Sequence, residues 1–155
     1  DACFAMFAVI GYITENDDIL RVFKNVHRHL KPDGLFIFDV WNGLAVMRTL
    51  PFSRIKKVQT NDVDVIRFAE PSLHAFEHIC DVNYKLLILN KRANSFNEID
   101  EKHIVRFYFP QETKFFLEQA GFEVLRICPF MDVKGKVDEN VWNIVFVARA
   151  RRGTQ

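Results

Sequence analysis

Two apolar runs, ACFAMFAVI at residues 2–10 and LFIFDV at residues 35–40, flank one amphipathic segment, and this arrangement constrains the fold more than any other feature of the chain. The first run is almost free of polar residues, as expected of a strand buried on both faces. Gly11 and Tyr12 then break the pattern. Thr14 followed by Asp17 reads as a helix start, with Asp17 and Asp18 in the first turn, where the helix dipole favours negative charge. Ile19, Phe23, Val26 and Leu30 fall on one helical face, and Arg28, His29 and Lys31 supply cations at its far end. KPDG at 31–34 stops the helix. Strand, helix and strand predict a right-handed βαβ unit with parallel strands. In such a sheet the strand at 2–10 should have parallel neighbours on both sides, yet only one follows in the sequence. Its other edge is expected to be covered by a second copy of the chain, as a homo-oligomer (a dimer), or by an N-terminal half preceding Asp1.

The middle of the chain reads differently. VDVIRFA at 63–69, HICDVNYKLLILN at 78–90 and KHIVRFYF at 102–109 alternate in part, with Cys80, Val82, Tyr84, Leu86 and Ile88 on one side. Turn-like EPS and NKRANSFNE separate them, so three antiparallel strands are predicted. Pro110 opens a helix whose inward residues are Phe116, Leu117 and Ala120, and Gly121 ends it. EVLRIC and VWNIVFVARA, joined by the polar loop DVKGKVDEN, close the chain as an antiparallel pair. The fold class is therefore α/β. It is expected as a single domain over 1–155, a Rossmann-like sheet of parallel strands with a C-terminal antiparallel hairpin and a small antiparallel sheet inserted at 55–109.

Composition narrows the function. An apolar share of 49% beside 26% charged residues describes a globular chain, and a net charge of +1 argues against a nucleic-acid partner. The segment from Ala2 to Ile13 is too short to span a bilayer and has no basic flank ahead of it, so neither membrane nor signal peptide is expected. Cys3, Cys80 and Cys128 are odd in number and widely spaced, which fits a reducing cytoplasm and small buried hydrophobes rather than a disulfide framework. The final RARRGTQ reads as a solvated basic tail in preference to an anion site. There is no G-x-S-x-G, P-loop or H-E-x-x-H.

DACFAMFAVIGYI, then a helix, LKPDGLFIFDVWNG, RFYFPQETKFFLEQAGFEVL and a closing apolar hairpin together resemble the second half of a class I S-adenosylmethionine-dependent methyltransferase. The resemblance covers nearly the whole chain and is closest to members with a small antiparallel sheet after strand five, such as the sugar N-methyltransferases. LKPDGLFIFD stands for the family's turn into strand five, with Asp33 where a glycine is usual, and QETKFFLEQAGFEVL for its last helix and strand six. The resemblance implies S-adenosylmethionine as cofactor and a small-molecule methyl acceptor as partner. It also implies that Asp1 lies mid-domain. The family's glycine-rich cofactor loop is absent, since none of the six glycines stands in a GxG, and the acidic residue that takes the ribose hydroxyls has no counterpart. Little or no activity is expected of the chain alone.

In doubly wound sheets ligands sit at the carboxyl ends of the strands. That rule and the resemblance give Phe7, Ala8 and Gly11 as cofactor-side candidates. Tyr12, Asp39, Trp41, Asn42, Arg67, His103 and Arg106 are the acceptor-side candidates, and no catalytic group is singled out. For each there is a plainer reading: Gly11 permits a turn, Tyr12 packs on the sheet, Asp39 caps a turn, and His103, Arg106 and Arg67 belong to packing or surface. His74 and His78 are four apart, but on a strand that spacing puts them about 13 Å from each other, so no metal site is expected. His27 and His29 read as solvated helix residues. The leading function is a small-molecule methyltransferase lacking its cofactor loop. The alternative is a non-catalytic, self-associating module derived from one, and a third reading is a partial remnant without a role of its own.

Overall fold

Only the start of the opening apolar run remains in a sheet. In this computed structural model, which describes residues 1–151, strand β1 covers Ala2–Ala5 and ends there. Phe7 and Ala8 follow in the left-handed region, at φ 66° and 57°, and Val9–Tyr12 forms a 3-10 turn. The strand expected to reach Ile10 is thus cut in half, because left-handed residues cannot continue an extended chain. The end of the basic tail, residues 152–155, lies outside the described residues.

By its internal contacts the chain divides into two units, Asp1–Leu50 with Arg106–Gln155, and Pro51–Val105. In the first, helix α1 (Asn16–His29) connects β1 to β2 (Leu35–Trp41), and the two strands pair in parallel from Ala2↔Leu35 to Ala5↔Phe38. Helix α1 carries Asp17 and Asp18 in its first turn and His27, Arg28 and His29 in its last, as the dipole favours. It starts later than the Thr14 signal suggests, with Glu15 at the N-cap. A short helix that the sequence pattern did not suggest, α2 (Gly43–Thr49), follows β2.

Helix α3 (Pro110–Gln119) precedes the antiparallel pair β7 (Phe122–Pro129) and β8 (Asn143–Ala150). The sheet order is β1-β2-β8-β7, so β1 holds one edge and has β2 as its one neighbour among the described residues. Phe23 of α1 packs against Phe36 and Phe38, Phe38 stacks on Phe146, and Phe36 meets Phe122, with ring centroids 4.6–5.6 Å apart across the set. All five are fully buried, and each contributes about 2–3 kcal/mol through removal of its ring from water. Gly121, at φ +90°, turns the chain out of α3 where a Cβ would lie 2.9 Å from His27 Nε2.

The second unit is an antiparallel sheet of four strands in the order β3-β4-β5-β6: Arg54–Gln59, Val63–His74, Ile79–Asn90 and Ser95–Arg106. Arg106, the last residue of β6, already belongs to the first unit. Sequence patterning suggested three strands here. It missed β3, whose RIKKVQ is exposed throughout and so carries no burial alternation. It also took EPS for a turn, whereas Pro71 lies within β4 opposite Val82. Among the described residues, no helix is long and apolar enough to cross a membrane.

Candidate functional site at the carboxyl ends of β1 and β2

Strand β1 ends at Ala5, opposite Phe38, while β2 runs on to Trp41, and the segment leaving β1 is held to that extension at Asp39. The bend is strained: a non-glycine residue in the left-handed region costs roughly 1–2 kcal/mol, and Phe7 and Ala8 are two in succession. Asp39, fully buried on β2, holds it in place. Its Oδ2 accepts the Ala8 N–H at 3.0 Å and the Asn143 Nδ2–H at 3.1 Å, while the buried Oδ1 has no hydrogen-bond partner. The 3-10 turn then closes through Gly11 N–H to the Ala8 carbonyl, 2.9 Å. Gly11 is buried within that turn and Tyr12, half exposed, ends it.

Asn42 caps α2. Its Oδ1 accepts the Leu44 N–H, and its Nδ2 donates to the carbonyls of Asp138 and Val141 at 3.0 and 2.9 Å. The buried amide is thereby satisfied within the chain and fixes the polar β7–β8 loop to the end of β2. Trp41, partly buried, meets Trp142 edge-on with ring centroids 5.7 Å apart. Phe7 is exposed, and its ring lies 5.9 Å from that of Phe130.

A second group of polar contacts ties the far end of the same segment. Arg106 is buried; its Nη1 donates to the Thr14 carbonyl at 2.7 Å and its Nη2 pairs with Glu112 Oε1. The guanidinium also lies over the rings of Tyr108 and Phe116, at 4.9 and 5.8 Å. The Tyr108 hydroxyl donates to the Ile13 carbonyl at 2.8 Å, and burial, the largest influence on it, raises its phenol well above the ordinary value. Glu112 Oε2 accepts the Phe109 N–H and so caps the start of α3.

No protein-family model matches the chain. It is 26% identical over 118 residues to the Bacillus subtilis (strain 168) protein named "Putative methyltransferase YqeM", covering 76% of this chain and 46% of that one. Among solved structures, a crystal structure of an S-adenosylmethionine-dependent methyltransferase from Clostridium acetobutylicum ATCC 824 aligns over 98% of this chain and 58% of its own, at 19% identity and a TM-score of 0.83. The fold is that of the S-adenosylmethionine-dependent methyltransferases. The sugar N-methyltransferase KedS8 from Streptoalloteichus sp. ATCC 53650 shares this methyltransferase fold, with a TM-score of 0.71 at 17% identity over 97% of this chain and 56% of that one. The chain spans about half the length of the relatives it matches.

Within this methyltransferase fold the sequence candidates separate into three sets. Phe7, Ala8, Gly11 and Tyr12 lie in the segment that leaves β1, and Asp39, Trp41 and Asn42 at the end of β2. Arg106 belongs to the tie at Ile13 and Thr14. Arg67 and His103 lie in the second unit, where they meet on Tyr84: the guanidinium of Arg67 is 5.0 Å from the ring centre, and the His103 ring approaches it edge-on at 5.0 Å. Among the described residues, no group of three or more His, Cys, Asp or Glu side chains could hold a metal ion. His74 ends β4, with its Nε2 3.7 Å from Asp81 Oδ2, and His78 sits in the following turn at φ 59°, off the strand expected to carry it. All three cysteines are free thiols.

Sequence reasoning missed Tyr108, Glu112, Asn143 and Phe130. Glu112 had a legible signal, since a glutamate two residues after a Pro at the first helical position suits a capping box. The others had none: Tyr108 and Asn143 act through contacts 95 and 104 positions away in sequence.

Proposed function

We propose that this chain forms the acceptor-facing part of an S-adenosylmethionine-dependent small-molecule methyltransferase. The observation that carries the reading is the strained Phe7–Ala8 turn at the exit of β1, pinned by the buried carboxylate of Asp39 on the parallel strand beside it. Strain of this kind persists where the surroundings over-determine it, and it concentrates at functional sites. Ligands of such sheets lie at this rim. CalS10 from Micromonospora echinaspora, an amino pentose methyltransferase of the same fold solved with S-adenosylmethionine bound (TM-score 0.71, 13% identity, 96% of this chain and 57% of that one), supports the choice of cofactor.

The fit of the cofactor is one-sided. The turn at Phe7–Ala8, with Gly11 behind it, offers a wall and a buried carboxylate with an unengaged oxygen, whereas none of the six glycines forms the GxG turn that would receive the methionine end. When bound, S-adenosylmethionine supplies a sulfonium methyl group, which an acceptor nitrogen, oxygen or carbon displaces in line. Such a displacement needs alignment and exclusion of water more than a strong base. In this reading Phe7 and Tyr12 wall the rim, and Trp41 closes it beside Trp142. Asp39, Asn42 and Arg106 set the positions of these walls through their hydrogen bonds inside the chain. Because the glycine-rich turn is absent from this sequence, the chain alone binds the cofactor weakly and turns over little or nothing. The test is transfer of a labelled methyl group from S-adenosylmethionine to a panel of small amines and hydroxyl compounds by the polypeptide its full reading frame encodes. Transfer to none of them would sink the reading.

One feature favours a second reading, a non-catalytic self-associating module. Strand β1 lies at the sheet edge, with Phe4 64% exposed and Phe7 83% exposed beside its end. Such an edge invites pairing with another strand. Sedimentation at micromolar concentration separates the outcomes: a stable homodimer indifferent to the cofactor favours the module, and a monodisperse monomer removes it.

A further inference from the structure

The segment that leaves β1 is fastened at both ends. At its start Asp39 takes the Ala8 N–H. At its end two consecutive carbonyls, Ile13 and Thr14, are held by Tyr108 and Arg106 at 2.8 and 2.7 Å. These two donors are themselves two residues apart on one extended stretch, so both side chains reach the same side. Arg106 has little freedom to leave. Its second amino group is paired to Glu112, its guanidinium lies over the rings of Tyr108 and Phe116, and Glu112 is anchored by the Phe109 N–H. Between the two fastenings sits Tyr12, immediately before the held carbonyls and half exposed.

We infer that Arg106 and Tyr108 are positioning residues: without touching the acceptor, they set the place of Tyr12 by holding the carbonyls of Ile13 and Thr14. Binding an acceptor through either amino group of Arg106 would first have to break its ion pair with Glu112 or strip the Thr14 carbonyl of its donor, both unfavourable, and its Nε, which has no partner, is buried. Tyr108 cannot offer its hydroxyl elsewhere without abandoning Ile13. The inference rests on the methyltransferase reading for its functional consequence, but the tie itself can be tested without turnover.

The variants are Tyr108→Phe, which removes one O–H and keeps the ring, Arg106→Lys, which keeps the charge, and Arg106→Gln. In the polypeptide its full reading frame encodes, Tyr108→Phe should raise the acceptor KM by about three- to tenfold, the size expected of one hydrogen bond, and leave the KM for S-adenosylmethionine unchanged. Arg106→Gln should do the same more strongly, and Arg106→Lys should recover part of the loss. A purely structural role would lower the active fraction, and so the apparent kcat, with both KM values unmoved; that result would overturn the inference. In a Tyr12→Ala background, Tyr108→Phe should add nothing further to the acceptor KM, whereas full additivity would show that it does not act through Tyr12. Hydrogen exchange supplies the readout independent of activity. Amides of residues 9–14 should exchange faster in Tyr108→Phe, with α3 protected as before, and unchanged exchange there would overturn the tie. A wild-type protein that neither binds S-adenosylmethionine nor transfers methyl, yet shows the faster exchange in the variant, would sink the methyltransferase reading and leave the tie standing.

Discussion

The carboxylate of Asp39 accepts the backbone N–H of Ala8 at 3.0 Å, joining residues 31 positions apart and holding the second of two successive left-handed residues. One buried side chain thus fixes both the exit of β1 and, through Asn143, the start of β8. Replacing it with alanine leaves two donors without their acceptor, the buried Ala8 N–H and the part-buried Asn143 amide. Asp39→Ala should lower stability to urea by about 2–4 kcal/mol. Asp39→Asn should cost less, because the Asn143 amide can turn its oxygen toward the new N–H. A loss below about 0.5 kcal/mol in the alanine variant would contradict this account of the turn.

Gly121 is required twice, by its φ of +90° and by His27, whose Nε2 lies 2.9 Å from where a Cβ would be. Gly121→Ala should lower the midpoint of thermal unfolding, for a cost of about 1–2 kcal/mol. Adding His27→Ala should restore part of that loss and not all, since it relieves the contact and leaves the backbone strain. Complete restoration would mean that backbone conformation contributes nothing.

Alkali should destabilise the protein in a defined order. Burial raises the Cys80 and Cys128 thiols above their ordinary 9.0 and the Tyr108 phenol above its ordinary 10.0. These groups stay protonated in the folded chain at pH values where the unfolded chain releases the proton. Their contribution is therefore complete below the ordinary values and declines as pH rises beyond them. For Tyr108 the slope approaches about 1.4 kcal/mol per pH unit above pH 10. Tyr108→Phe should flatten urea-derived stability in that range, and an unchanged slope would contradict the burial of the phenol.

Acid acts on the antiparallel unit by the opposite sign. The ammonium groups of Lys102 and Lys91, at 2.8 and 2.6 Å, hold the carboxyls of Asp81 and Asp64 below their ordinary 3.8. Their contribution is present above that value and is lost as pH falls through the lowered one. Lys102→Ala with Lys91→Ala should make acid unfolding of residues 51–105, followed by the exchange of their amides, less steep below pH 4. Equal steepness in the variant would remove these pairs from the account.

The legible parts of the fold were those with strong periodicity or punctuation. The face of α1 from Ile19 to Phe23, the buried β2, Pro110 at the first position of α3 and the closing hairpin all follow from burial pattern and turn chemistry. The exit of β1 was not legible, because Phe7 and Ala8 are ordinary strand residues whose left-handed conformation is imposed by Asp39 from another strand. Strand β3 was invisible for a related reason, since an exposed strand needs no apolar alternation. At the site, sequence could name Asp39, Asn42 and Arg106 but not their partners. Asn143, Val141 and Thr14, one partner of each, lie 104, 99 and 92 positions away, and only the fold brings them together.

The most direct test is isothermal titration of S-adenosylhomocysteine into two proteins, the polypeptide its full reading frame encodes and the 155-residue chain by itself. The account predicts saturable binding by the first and no saturation by the second. Tight binding by the shorter chain, or none by the longer, would contradict it.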